Sequence, residues 1–184
     1  MPKPAPYPIE IKTERLTLRR IYTSDIGIFE GMSDKRVSLY EAWSAHETVV
    51  DTMQFINRVM EKYEKGDCTE WVIALTQTDT PVGMINLHNK NFYHGRAELG
   101  FWIIPSYWGN GYATEAARGV IDFTFSHTSL RRIESLCSPE NAASVAVLCK
   151  VGMQQEGLLR KYMYINANER KEPSDIAIFS LIKE

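Results

Sequence analysis

Three extended segments that follow one another with only turns between them constrain the fold of this chain most. They are Trp71–Leu75, Val82–Leu87 and Ala97–Ile104, and the turns are Thr78–Pro81 and Tyr93–Gly95. Parallel strands need a crossover of about a dozen residues, which these turns are too short to provide, so the segments predict an antiparallel meander. A meander in this position argues against a parallel nucleotide-binding sheet.

Further strands and helices are predicted on both sides of the meander. Alternation of apolar and polar residues over Ile9–Arg19 indicates a half-buried strand. A capping-box pattern at Ser44–Glu47 predicts the start of a helix that ends at Gly66. The other predicted elements are the helices Ile26–Met32, Gly111–Ser126 and Ala142–Val151, the strands Arg132–Cys137, Gln155–Ile165 and Asp175–Ile182, and a polar turn at Asn166–Lys171. The order β-α-α-β-β-β-α-β-α-β-β predicts an α+β domain, a mixed sheet with helices on both faces.

The composition indicates one globular domain in a reducing compartment. The 184 residues suit a single domain, which we place at residues 9–184 behind a flexible, proline-rich arm of residues 1–8. Lys and Arg number 21 against 23 Asp and Glu, and this near-balance argues against direct binding of nucleic acid or of an anionic membrane. Three widely spaced cysteines and the lack of a secretory leader pattern favour a cytoplasmic protein.

The segment from Ile104 to Ala116 carries the strongest functional signal. It joins a predicted strand to a predicted helix through Gly109 and Gly111. At a helix start, four backbone N–H groups lack helical acceptors and form the positive end of the helix dipole. Glycines let such a backbone approach a ligand closely. The pattern is therefore typical of a site for a phosphate or a diphosphate.

Other interpretations of the same residues stay open. A Gly-x-Gly turn before a helix is often a loop and helix cap without a ligand. A dinucleotide fingerprint is incomplete because Thr114 stands where a third glycine belongs, and no Gly-Lys-Ser/Thr follows for a Walker phosphate loop. With a meander before it, the turn suits a diphosphate carrier other than a dinucleotide, and coenzyme A is the commonest of these.

Four blocks of the sequence resemble, in order, those of the Gcn5-related N-acetyltransferases (GNAT). Trp108–Ala113 is similar to the (Gln/Arg)-x-x-Gly-x-(Gly/Ala) acetyl-CoA motif, and Tyr107–Ala116 is similar to the version in the RimJ/RimL group, which acetylates protein N-terminal amines. The other blocks are Thr13–Arg19, Glu98–Ile103, and Asn141–Ser144 with Lys150–Met153. The resemblance spans residues 9–182. Trp108 in place of Gln or Arg, and Met153 in place of Phe, depart from the family pattern without removing a backbone donor.

The resemblance implies a GNAT fold with acetyl-CoA as co-substrate. Such a fold has a mostly antiparallel, seven-stranded sheet that is splayed in the middle, here between Leu99–Ile104 and Ser135–Ser138. The pantetheine arm would lie along the first of these strands, with an N–H near Ile103 facing the thioester oxygen. The cofactor-binding residues that the resemblance implies are Ile103, Ile104, Trp108, Gly109, Asn110, Gly111, Tyr112, Ala113, Thr114 and Asn141.

Catalytic candidates follow from the same resemblance. Asn141 and Ser144 match positions near the cofactor sulfur, and Ser144 is the candidate general acid for the leaving thiolate. Glu98 and His94 are the candidates for base work, and the alternatives are a cross-sheet pair for Glu98 and a plain turn residue at His94.

The acceptor side is expected in the segment before the long second helix and near the last turn of the meander. Tyr40, Trp43 and His46 lie in the loop and helix start that, by resemblance, line this side, and His94 joins them as a substrate-binding candidate. Core packing of the two aromatic residues is the alternative.

We expect an N-acetyltransferase that acts on a protein N-terminal α-amine, of the ribosomal-protein-alanine type, by direct attack in a ternary complex. An α-amine titrates at about 7.7–8.0 and a lysine at about 10.4, so the neutral α-amine is easier to obtain by roughly 3.4 kcal/mol. A polyamine or aminoglycoside acceptor, a CoA-binding module without turnover, and a site for another nucleotide are the alternatives. We expect a monomer or homodimer, and no metal, because the four histidines lack ligand spacing.

Overall fold

Eight strands form one open sheet in a computed structural model that describes residues 10–65, 69–165 and 172–184. In chain order they are β1 (Glu10–Lys12), β2 (Leu16–Arg19), β3 (Glu70–Leu75), β4 (Pro81–Asn91), β5 (Arg96–Ile103), β6 (Arg132–Cys137), β7 (Gln154–Met163) and β8 (Ser174–Ile182). Their order across the sheet is β1-β2-β3-β4-β5-β6-β8-β7. The predicted arm of residues 1–8 and the predicted turn of residues 166–171 lie outside the described residues.

Five α-helices belong to the described part of the chain. They are α1 (Phe29–Met32), α2 (Lys35–Ser38), α3 (Val49–Glu64), α4 (Tyr112–His127) and α5 (Ala142–Lys150). Two 3₁₀ turns, Thr23–Ile28 and Pro105–Tyr107, precede α1 and α4. None of these described helices combines the length and the apolar content needed to cross a membrane.

The strand pairing confirms the predicted mixed, mostly antiparallel sheet. Across the described sheet only β5 and β6 run parallel. The sheet has one strand more than the predicted seven, because the segment expected to form one strand folds as a hairpin. Ile11 of β1 faces Leu18 of β2, and the Thr13 N–H between them donates to the Leu16 carbonyl at 2.9 Å.

Helices cover both faces of the sheet, as predicted. Ala117 and Val120 of α4 pack with Leu99 of β5 in the larger buried cluster. On the opposite face, Ile56 of α3 packs with Met84 of β4 in a second cluster. The central strands are therefore buried on both faces. A ligand can reach the sheet at the ends of these strands.

The prediction that α3 starts with a capping box at Ser44–Glu47 is wrong. Thr48 is the N-cap, and its hydroxyl and backbone N–H pair with the N–H and carboxylate of Asp51. The preceding segment is held instead by His46, whose N–H donates to the Met32 carbonyl (2.8 Å) and whose Nδ1 bonds the Thr52 hydroxyl (2.7 Å). This loop thereby stays packed beside α1.

Candidate active site

The parallel strands β5 and β6 separate partway along their length. Their pairing ends at Glu98 and Glu134, although β5 continues to Ile103 and β6 to Cys137. The Ser135 hydroxyl donates to the Leu99 carbonyl at 2.9 Å, at the point where the strands part. The splay that the sequence resemblance implied is thus present, and it opens a wedge inside the sheet.

The side of β5 that faces the wedge offers backbone groups without a strand partner. Ile104 donates its N–H to Val82 on the β4 side at 2.8 Å. The backbone N–H and C=O groups of successive strand residues point to opposite sides, so those of Phe101 and Ile103 point toward the wedge. The Trp108 indole N–H donates to the Ile103 carbonyl at 2.7 Å and fixes this end of the strand. The Ile103 N–H therefore faces the wedge, and the Ile104 N–H faces β4.

The glycine turn leads from this strand end into α4. Gly109 and Gly111 have φ values of 78° and 80°, which only glycine adopts without strain. Gly111 is the N-cap of α4 and provides no side-chain cap. The Asn110 amide donates to the Tyr107 and Trp108 carbonyls and closes the turn. In the described structure the N–H groups from Gly109 to Thr114 donate to no protein acceptor, so they are available to an anion.

A cation stands beside these amides. The Arg15 guanidinium bonds Glu115 through Nε and Nη2, both at 2.7 Å, and lies over the Tyr112 ring at 4.9 Å. Burial raises the pKa of Glu115, but hydrogen bonds from Thr13 and Arg15 lower it by more, so the pKa lies below its ordinary value. The ionised carboxylate holds Arg15 at the mouth of the glycine turn. Free amides and a fixed cation fit the diphosphate of coenzyme A.

A cavity of about 390 Å³ adjoins the wedge. Its walls come from β4, β5, β6, β7, β8, α5 and the loop after α2. Asn141 caps α5 by accepting the Ser144 N–H at 3.1 Å, and both residues line the cavity. The cap orients the first turn of α5, so Ser144 faces the end of β6.

Two further side chains in this cavity have altered acidity. Burial raises the pKa of the Cys137 thiol to about 11, with a contribution from the charge of Glu41 and an opposing hydrogen bond from Ser144. Burial also raises the pKa of Glu41 to about 7, against a lowering hydrogen bond from the Trp43 side chain. The sequence analysis missed Glu41, because it belongs to no motif and its surroundings come from distant segments.

The structure brings together some of the predicted acceptor-side residues and not others. Tyr40 and Glu98 line the cavity, and the Glu98 carboxylate lies 3.9 Å from His88 Nδ1. Trp43 packs edge-on against Trp102 at 6.2 Å between ring centroids and is not a lining residue. His94 does not line the cavity either.

His94 lies in the turn before β5, where that strand is still paired with β6. The His94 ring contacts the Tyr93 ring at 4.9 Å between centroids, and the His94 backbone N–H donates to Asn91 Oδ1 at 2.9 Å. These contacts are those of the plain turn residue that the sequence left as the alternative. Within the described residues, no three His, Cys, Asp or Glu side chains are grouped to hold a metal ion.

Comparisons with known sequences agree with this geometry. The family described as "Acetyltransferase (GNAT) domain" matches residues 15–154. An uncharacterised N-acetyltransferase of Bacillus subtilis (strain 168), YoaA, is 34% identical over 178 residues, 96% of this chain and 98% of its own. The spermidine N(1)-acetyltransferase of Escherichia coli (strain K12) is 33% identical over 88 residues, 48% of this chain and 47% of that enzyme.

Solved structures share the whole architecture. A GNAT-family acetyltransferase from Bacillus anthracis has a TM-score of 0.82 at 30% identity, covering 94% of this chain and 98% of its own. A protein from Vibrio cholerae, assigned as a ribosomal-protein-serine acetyltransferase, has a TM-score of 0.79 at 28% identity, with 96% and 98% coverage. The split sheet, the uncapped glycine turn and the matched sequences agree: the chain belongs to the GNAT family and is an N-acetyltransferase.

Proposed function

We propose that the protein transfers the acetyl group of acetyl-CoA to a protein N-terminal α-amine, by direct attack in a ternary complex. The observation that carries the proposal is the continuous path from the open side of β5 to the uncapped start of α4. An extended arm with a diphosphate at one end matches such a path in both shape and charge.

Acetyl-CoA is proposed to lie along this path. The N–H groups of the glycine turn, from Gly109 through Asn110, Gly111, Tyr112 and Ala113 to Thr114, surround the diphosphate, with Arg15 as the neighbouring cation. The pantetheine arm pairs with Phe101 and Ile103 in place of a strand. The Ile103 N–H then faces the thioester oxygen and stabilises the charge that develops on it during attack.

The acceptor amine is proposed to enter the cavity beside the wedge. Among the described lining residues, the charged groups are the carboxylates of Glu41 and Glu98, with His88 and without Lys or Arg. Such a lining favours an ammonium over an anion. Glu98 is proposed to face the acceptor, and Tyr40 to line its slot.

Ser144 is proposed to protonate the leaving sulfur. Its N–H is fixed by Asn141, and it lines the same cavity as Cys137, the last residue of β6. A hydroxyl donor suffices because a thiolate is a good leaving group. Asn141 is the positioning residue for this turn of α5.

The choice of an N-terminal α-amine has support from the Vibrio cholerae relative, whose assigned acceptor is a ribosomal protein. The lower pKa of an α-amine also makes the neutral nucleophile more accessible than that of lysine. A polyamine is the second candidate, because the spermidine acetyltransferase matches about half of the chain and because the cavity lining is anionic.

Two measurements test the proposal. Calorimetry should show binding of acetyl-CoA and none of ATP or NAD, and absence of heat with acetyl-CoA would refute the cofactor. Thiol release should then be measured with N-terminal peptides, spermidine and aminoglycosides. Fastest turnover with a peptide supports the proposal, whereas fastest turnover with spermidine would favour a polyamine acceptor. Binding of acetyl-CoA without any thiol release would show a CoA-binding module.

A further inference from the structure

A carboxylate that the family resemblance did not single out lies in the acceptor cavity. Glu41 follows α2, where its N–H donates to the Ser38 carbonyl at 3.0 Å, and it lines the cavity at the wedge. We infer that Glu41 is a catalytic residue, the base that takes a proton from the acceptor ammonium. This inference rests on the proposed function and names the group that its first proton transfer requires.

Glu41 lines the same cavity as the proposed general acid, Ser144. Glu41, Cys137 and Ser144 all line this cavity, and the charge of Glu41 contributes to the raised pKa of the Cys137 thiol. Glu41 and the proposed general acid therefore share one cavity with Cys137, the last residue of β6. The thioester is proposed to react at this end of the wedge, so an acid and a base stand at one reaction centre.

The acidity of Glu41 suits a general base near neutral pH. Burial raises its pKa to about 7, and general bases work best when their pKa lies near the working pH. The other titratable groups that face this cavity are Tyr40 of its own loop, His88 of β4, Glu98 of β5, Cys137 of β6 and Tyr162 of β7. No Lys or Arg occurs among the described lining residues, so no side-chain cation there competes with the acceptor ammonium.

The proton balance of amide formation needs such a group. The acceptor ammonium gives one proton to the Glu41 carboxylate, and the neutral nitrogen attacks the thioester carbon. As the C–N bond forms and the C–S bond breaks, the second nitrogen proton reaches the departing sulfur through Ser144, which accepts one proton and donates another. Glu41 then releases its proton to solvent. The products are the amide, the thiol of coenzyme A and one free proton.

Glu98, the carboxylate found from the sequence, is placed for a different task. It lies opposite Glu134 at the last paired position of β5 and β6, with its carboxylate near His88. This is the closed end of the wedge, whereas Cys137, whose pKa the charge of Glu41 raises, ends β6 at the open end. Glu98 is therefore placed to hold the charge of the acceptor and Glu41 to remove its proton.

The test is the pH dependence of turnover in Glu41→Gln, which keeps the shape of the side chain and removes its charge. Wild-type kcat should rise with pH and level off above about pH 7, where Glu41 is ionised. In Glu41→Gln, kcat at about pH 6.5 should fall by about a hundredfold or more, and the rise should move to the pKa of the acceptor. Glu47→Gln is the matched control, because Glu47 is an exposed glutamate of the same segment.

A second acceptor separates proton removal from other losses. A hydrazide, which is already neutral at this pH, should recover most of the lost rate in Glu41→Gln. An unchanged pH profile in Glu41→Gln, or an equal loss with both acceptors, would overturn the inference. No thiol release from the wild type with any amine would refute the proposed function instead.

Two measurements keep the inference testable if Glu41→Gln folds poorly. Glu41→Asp retains a carboxylate and should keep the pH profile at a lower rate. Carbon NMR of wild-type protein labelled at glutamate carboxyls should show one that titrates near pH 7. A wild-type spectrum without such a carboxyl would overturn the inference.

Discussion

The diphosphate site is tested by placing two side chains of nearly equal size, Gln and Glu, at Gly111. Gly111 has a φ of 80°, and a side chain in this left-handed region costs about 1–2 kcal/mol. A Cβ there would lie 3.6 Å from Arg15 Nη2, an ordinary contact, so no steric clash adds to that cost. In a chain of this length 1 kcal/mol shifts Tm by about 2–4 °C. Both variants should therefore lose about 2–8 °C.

Only the charge then distinguishes Gly111→Glu from Gly111→Gln. Two unit charges about 8 Å apart interact by about 2 kcal/mol at an effective dielectric constant of about 20, which is roughly a thirtyfold difference in Kd. A carboxylate at this position would also compete with Glu115 for the Arg15 guanidinium. Both effects weaken the binding of a diphosphate in Gly111→Glu.

The assay is calorimetric titration of each variant with acetyl-CoA at low and at high salt, with thermal unfolding measured alongside. The difference in Kd between the two variants should shrink as salt screens the charge. Equal Kd values at low salt, with the expected equal loss of Tm, would place the diphosphate away from the glycine turn and refute the reasoning.

Three further substitutions have defined outcomes. Ser144→Ala should lower kcat by about a hundredfold and leave the Kd of acetyl-CoA unchanged; an equal loss in both would make Ser144 a binding residue. Arg19→Met should lower the free energy of unfolding by about 3–5 kcal/mol, because it leaves the buried Asp25 carboxylate, bonded by both Arg19 Nη atoms at 2.9 Å, without its cation; a loss below about 1 kcal/mol in urea unfolding would contradict this. The folded-state pKa of Glu41, about 7, lies above its ordinary 4.5, so the folded protein holds that proton more tightly and wild-type stability should fall as pH rises between these values. Glu41→Gln should remove that decrease, and an unchanged slope in thermal unfolding would show that the pKa is not raised.

The parts of the fold that depend on local pattern could be predicted from the sequence. The meander, β6 and α5 follow from short-range alternation, turns and caps, and their observed bounds lie within a few residues of the predicted ones. The glycine turn was predictable for the same reason, because φ values near 80° at Gly109 and Gly111 are a property that glycine itself confers.

The parts that depend on distant contacts could not be predicted. The β1–β2 hairpin has no glycine or proline at its turn. Its turn residue Thr13 instead donates a hydrogen bond to Glu115, 102 positions away, at 2.6 Å. Two capping-box patterns, Ser44–Glu47 and Thr48–Asp51, lie four residues apart before α3. The contacts of His46 with Met32 and Thr52 hold the first one in the loop, so the helix begins at the second.

Glu41 escaped prediction for a similar physical reason. An isolated glutamate has an ordinary pKa, and the shift arises only when the loop after α2 folds over the end of β6. Trp43 lies two residues further on, yet its ring packs against Trp102 and does not line the cavity. Sequence adjacency therefore identified the right loop but not the residue that faces the chemistry.

The parting of β5 and β6 gives the molecule an interior edge. The backbone N–H and C=O groups on the open side of β5 are unpaired like those of an edge strand, so an extended polypeptide can form hydrogen bonds with them. In the proposed binding mode acetyl-CoA covers this edge, which is exposed between departure of the product and binding of the next acetyl-CoA. Storage without the acyl carrier should therefore promote self-association, and light scattering should show that purified protein kept with coenzyme A stays dispersed for longer.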